Sequence, residues 1–224
     1  MIVDTHRVIF FHVPKAAGTT IENVLYSPRL YAKHYYPYLL YGFHQGRYLQ
    51  HLCYRDMAGL VPAEKMESYF KFAFFRNTWD RLKSAFVYNR RMYERTHGTF
   101  EGLIRAACAE MKKGRISPGD HLCSQMEYLY RDQARTIPAL DYQGHFEHLE
   151  EHLAEVCALI NVPLIRPLRQ LNQCPEPEQD YRTFYSDDLA ELVADAYHEE
   201  ISHFSYSFER PSLECSRYTL SKAV

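Results

Sequence analysis

The sequence predicts an α/β fold in which helices cover both faces of a parallel sheet. Three observations lead there. Arg7 to Val13 (RVIFFHV) and Phe70 to Phe75 (FKFAFF) are continuous apolar runs, as in strands buried on both sides. Apolar residues recur at helical spacing after each run. Strands thus alternate with helices, the order that builds parallel sheets.

The elements follow in order. After the first run come Pro14 to Thr20 and a helical stretch, Ile21 to Tyr26. Residues 28 to 60 read as irregular and are rich in Tyr and His. The second run is followed by Trp79, Leu82 and Phe86 at helical spacing. Phe100, Leu103, Ile104, Ala107 and Met111 mark another helix, with Thr99 as its N-cap. A third strand is expected within Thr136 to Phe146, then a helix with the stripe Leu149, Leu153, Val156 and Ile160. Ser186 opens a last helix that runs through Leu189, Val193 and Tyr197 to Ile201. Without repeats or linkers, residues 1–210 read as one domain and 211–224 as a flexible C-terminal tail.

Composition narrows the class. Apolar residues make up 46% and charged residues 24%, which excludes a disordered chain. Lys plus Arg is 26 against Asp plus Glu at 28, so no basic nucleic-acid surface is expected. The six cysteines form no CxxC pair, and thiols are expected rather than bridges. The apolar run at Val8 to Val13 is too short for a membrane span, so the reading is a soluble, cytoplasmic protein.

Two segments carry chemistry. Pro14, Lys15, Ala16, Ala17, Gly18, Thr19 and Thr20 link a strand to a helix. Such a loop turns backbone N–H groups and the positive helix end toward an anion, and Lys15 adds a point charge. The loop is not a Walker A sequence, because the Lys precedes the Gly. An ordinary βα turn with a solvated Lys has the same pattern. The second run delivers Arg76 at the C-terminal edge of its strand, where ligands bind in open α/β sheets. Ser84 lies two helical turns on, so guanidinium and hydroxyl can share a phosphate. A salt-bridged Arg with a surface Ser fits those residues too.

Together, FFHVPKAAGTT (Phe10 to Thr20) and FAFFRNTWDRLKSAF (Phe72 to Phe86) resemble the sulfotransferase superfamily. The resemblance is closest to its carbohydrate and small bacterial branch. Weaker matches follow at QMEYL (Gln125 to Leu129), FEHL (Phe146 to Leu149), LRQLN (Leu168 to Asn172), Tyr181 to Tyr185 and Ile201 to Phe208. The resemblance implies a three-layer fold like that of P-loop kinases. It implies 3′-phosphoadenosine 5′-phosphosulfate (PAPS) as donor, 3′,5′-bisphosphoadenosine (PAP) as product, and no metal. By carry-over, Lys15, Ala16, Ala17, Gly18, Thr19 and Thr20 hold the 5′-phosphosulfate, while Arg76 and Ser84 hold the 3′-phosphate. Lys15 also neutralises the leaving phosphate. The implied acceptor is a hydroxyl, with carbohydrate favoured. Ala16 and Ala17 stand where Thr and Gly are usual, which removes one hydroxyl contact. Thr78 replaces the usual Pro, and a rigid helix start is lost. A nucleotide or small-molecule kinase is a second reading, disfavoured by the missing Walker A loop. A protein that binds the cofactor without turnover is a third.

The acceptor proton needs a base, and imidazole suits that task. Among twelve histidines, His51 is the choice, because similar bacterial sequences carry a His in this loop before the Arg-bearing strand. His44 stands second and His34 third. His148 and His152 in HLEEH have zinc-chelating spacing, but a solvated helix face explains them better. Tyrosines 31, 35, 36, 38, 41, 48 and 54 read as packing or as an aromatic floor for an acceptor. Arg166 and Arg169 could reach the cofactor or lie at the surface.

Overall fold

A computed structural model describes residues 1–25, 40–44, 46–164, 168 and 179–209. His34, Tyr31, Tyr35, Tyr36, Tyr38, Arg166, Arg169, Asn172 and the 211–224 tail lie outside the described residues. The strands are β1 (Ile2–Val3), β2 (Val8–Phe11), β3 (Phe43–His44), β4 (Arg47–Tyr48), β5 (Phe70–Phe75) and β6 (Tyr142–His145). The helices are α1 (Gly18–Leu25), α2 (Tyr54–Met57), α3 (Ala63–Ser68), α4 (Thr78–Tyr88), α5 (Arg90–His97), α6 (Phe100–Lys112), α7 (Leu149–Leu159), α8 (Asp187–Ala196) and α9 (His198–His203).

The central sheet runs β1-β2-β5-β6. β5 pairs in parallel with β2 on one side and β6 on the other. The sheet is not purely parallel as expected: β1 joins the edge antiparallel to β2. Two residues carry no periodic signal, so the sequence hid that strand. The continuous apolar runs have the predicted cause. Val8, Phe10, Phe72 and Phe74 face α1 and α7, while Ile9, Phe11, Ala73 and Phe75 face the core under α4, α6 and α8. Both sides of each strand are buried, and the layers are three.

Other boundaries moved. The third strand covers only Tyr142–His145. Upstream, Asp132 takes the N–H groups of Thr136 and Ile137, which ties that stretch into a turn. The last helix breaks at Tyr197 into α8 and α9, and the Tyr197 hydroxyl reaches Leu122 O at 2.7 Å. Between positions 40 and 60 the chain is more regular than expected: β3 and β4 form a hairpin, and a 3-10 turn at Leu49–His51 leads into α2. Thr99 and Ser186 cap α6 and α8 as expected, through bonds from Gly102 N and Leu189 N. Cys53, Cys108, Cys123 and Cys157 are buried free thiols. Among the described residues no helix is long and apolar enough to cross a membrane.

Thr78 is not the weak helix start the sequence suggested. Asn77 caps α4 by accepting from Trp79 N, and the Thr78 hydroxyl donates to Glu200 at 2.8 Å. Glu200 is fully buried and also accepts from Ser124 Oγ at 2.8 Å and Gln125 N at 2.6 Å. Arg81, equally buried, lies 3.6 Å from it. Removing one partner of a buried ion pair leaves the other uncompensated. Glu200→Ala should therefore destabilise the fold by about 3–5 kcal/mol. The check is a lower urea midpoint at an unchanged denaturant slope.

Candidate active site

Lys15 sits between β2 and α1 with φ 65°, and Ala17 has φ 65° as well. Alternating left-handed residues turn successive N–H groups toward one point, the concave shape that binds anions. Both residues are non-glycine, so each conformation costs about 1–2 kcal/mol unless the surroundings hold it. Gly18 is needed for a different reason. A Cβ there would lie 2.0 Å from the His12 ring. That ring is buried and held by Nδ1 donating to Glu22 Oε1 at 2.8 Å, so it cannot swing away freely. Thr20 is buried and Thr19 half-buried at the start of α1.

Arg76 stands at the C-terminal end of β5, as predicted. Its Nε donates to Asp80 Oδ2 at 2.8 Å, and its guanidinium lies 3.9 Å over the Phe146 ring. Its Nη1 donates to Lys15 O at 3.1 Å, which joins the two predicted segments directly. Asp80, Ser84 and Tyr88 follow at intervals of four on α4 and so share a face. Asp80 holds Arg76, and the Tyr88 ring lies 3.7 Å from Lys15 Nζ. Ser84, half-buried, falls between those two contacts on the helix.

His51 is buried, and its Nδ1 lies 3.0 Å from His12 O. A carbonyl can only accept, so that nitrogen carries the proton and Nε2 keeps a lone pair. The His12 and His51 rings meet edge to face at 4.6 Å. His44 lies on β3, paired across the hairpin with Arg47. His152 Nδ1 accepts from His145 N at 2.9 Å, a structural bond that occupies one nitrogen of the HLEEH pair.

The sequence reading missed His121. Its ring lies 5.6 Å from that of His51, at 90°, and 5.6 Å from that of Tyr88. No periodicity or spacing marks it, because it sits in a loop between α6 and β6. The weak later matches also acquire roles. Gln125 accepts from Arg76 N at 3.0 Å and donates to Arg76 O at 2.9 Å. Glu147 accepts from Asn77 N at 2.6 Å.

The model of the Sulfotransferase family matches residues 1–207. No curated protein and no solved structure matches the chain.

Burial dominates the electrostatics. It holds His51 well below the usual imidazole range, helped by neighbouring His12. Burial and then the Lys15 ammonium push His121 down to about 4. Burial and neighbouring His152 do the same for His145. Below pH 6.5 the unfolded chain protonates these rings while the folded chain does not, so the unfolded state binds more protons. Glu147, raised to about 7 chiefly by burial, acts oppositely between its unfolded pKa of 4.5 and 7. Three rings outweigh one carboxyl. Stability should fall as pH drops from about 6.5 toward 4. Thermal melts across that range check it; a midpoint that rises on acidification would contradict the histidine assignment.

Proposed function

The chain belongs to the sulfotransferase family, and on that premise we propose that it moves a sulfuryl group from PAPS to a hydroxyl, with carbohydrate the favoured acceptor. The observation that carries this reading is the bond from Arg76 Nη1 to Lys15 O. It joins the two segments whose separate residues suit the two phosphate-bearing ends of one nucleotide.

The donor set fits such a ligand: a concave backbone loop, a helix N-terminus of eight residues, an ammonium and a guanidinium. In this reading the loop from Lys15 through Ala16, Ala17, Gly18 and Thr19 to Thr20 holds the 5′-phosphosulfate. Arg76 and Ser84 hold the 3′-phosphate. The bound nucleotide supplies an activated sulfuryl group on a phosphate leaving group. Lys15 neutralises charge on the leaving oxygen, and Asp80 fixes the plane of the Arg76 fork. His51 Nε2 accepts the hydroxyl proton. The bond from Nδ1 to His12 O orients the ring and supports the charge it then carries.

Support for carbohydrate comes from the hairpin before His51. Phe43 and Tyr48 are 59% and 53% exposed, with their rings 4.9 Å apart. The Tyr48 ring is 6.1 Å from that of His51. Exposed aromatic rings, one of them next to the proposed base, suit the apolar face of a sugar.

PAP should raise the melting temperature more than AMP does, because only PAP offers a 3′-phosphate. A ligand at a hundred times its Kd adds about 2.7 kcal/mol. In Arg76→Ala the preference for PAP over AMP should vanish; equal shifts in the wild type would remove the 3′-phosphate assignment.

His51→Ala should lower turnover of labelled sulfate by about 100-fold or more, as expected for loss of a general base. The PAP shift should survive that change. Undiminished turnover would take the role away from His51.

A further inference from the structure

We propose that His121 is a second imidazole of the reaction centre, whose Nε2–H donates a hydrogen bond to an oxygen of the sulfuryl group in transit. The inference rests on the sulfotransferase reading above.

Position is the first argument. His121 stands between the proposed base and the cation: its ring packs edge-on to His51 on one side and meets Tyr88 on the other. The Tyr88 ring in turn carries Lys15 Nζ at 3.7 Å.

Tautomer is the second. Asn89 Nδ2 lies 3.2 Å from His121 Nδ1. An amide NH2 only donates, so Nδ1 is the acceptor and the proton of the neutral ring sits on Nε2. His51 has the opposite arrangement, with its proton on Nδ1 toward His12 O. The pair thus offers one acceptor for a hydroxyl proton and one donor for a developing charge. A neutral imidazole can serve as such an electrophile when its surroundings keep it uncharged.

The third argument is the way the loop is held. Arg81 Nη1 donates to His121 O at 3.0 Å and Arg81 Nη2 to Cys123 O at 2.8 Å. The Tyr197 hydroxyl takes the carbonyl between them, Leu122 O. Gly119 has φ 85°, and a Cβ there would stand 3.0 Å from His51 O. Three successive carbonyls of an irregular loop are therefore clamped by buried donors, and the loop is pressed against the base. That is preorganisation of one ring, the condition under which a donor aimed at developing charge is most effective.

Long-range proton–nitrogen correlation NMR on the full chain reads the tautomers without turnover. The His121 signals are assigned by their loss in His121→Phe, which keeps a ring against His51. The expected pattern is a proton on Nε2 of His121 and on Nδ1 of His51, with the His121 Nε2 signal shifting when PAPS is added. PAP release from PAPS, with water or a methyl pyranoside accepting, should slow about 100-fold in His121→Phe at an unchanged PAP melting shift. Asn89→Asp supplies an acceptor in place of the donor, reverses the His121 tautomer and should cause a similar loss with His121 intact. A proton on Nδ1 of His121, or wild-type rates in both variants, overturns the proposal. A wild type that binds PAP without releasing any from PAPS overturns the sulfotransferase reading, and the proposal with it.

Discussion

The turn from Arg76 to Trp79 is held at every residue, and the site depends on it. Gln125 bonds both backbone groups of Arg76, and Glu147 takes the N–H of Asn77. Asn77 Nδ2 donates to Ser207 O, the Thr78 hydroxyl to Glu200, and the Tyr185 hydroxyl to Trp79 O. Four distant segments thus fix one strand-to-helix junction. Glu200 ties the Thr78 end of the junction to the Gln125 segment, because it also binds Ser124 and Gln125 and faces Arg81. Desolvating that carboxylate and that guanidinium is expensive, and only a nearly full set of hydrogen bonds makes the arrangement tolerable. The same Arg81 then clamps the loop carrying His121. One buried pair therefore sets the direction of α4, the place of Arg76 and the place of His121.

The loop at Lys15 is a separate source of constraint. Left-handed φ values at Lys15 and Ala17 are unfavourable for residues with a Cβ. Around them Ala16 is buried, Ala17 O accepts from Thr20 N at 2.9 Å, and Lys15 O accepts from Arg76. The surroundings over-determine the shape, as they must where strain persists. Alanine at position 17 keeps the conformation that glycine would adopt without cost, so the departure from the family pattern changes energy more than shape.

What the sequence made legible follows from period. The doubly buried runs on β2 and β5, the stripes of α6 and α7 and the caps at Thr99 and Ser186 were readable because each is a local rule. That Lys15 and Arg76 lie at one sheet edge was readable because two short patterns lay at two strand ends; the bond between them was not. His121 was not readable. Its place depends on Arg81, Tyr197 and Asn89, which are far from it in sequence, and no local pattern encodes such a convergence. The break at Tyr197 was hidden likewise, since the apolar stripe continues through it while the hydroxyl is drawn to Leu122 O.

The charge count gains a meaning from the site. Formal charges nearly cancel at 26 against 28, and many surface cations are matched by acids, as in Lys65 with Asp4 and Arg105 with Glu101. At the site burial keeps His51 and His121 neutral, and the positive field near them comes from Lys15, Arg76 and the α1 terminus. A field built on imidazolium would fade above pH 6.5. Keeping the imidazoles neutral therefore separates two tasks. In the proposed reaction the cations would bind the anionic donor, and the rings would be left to exchange or share a proton.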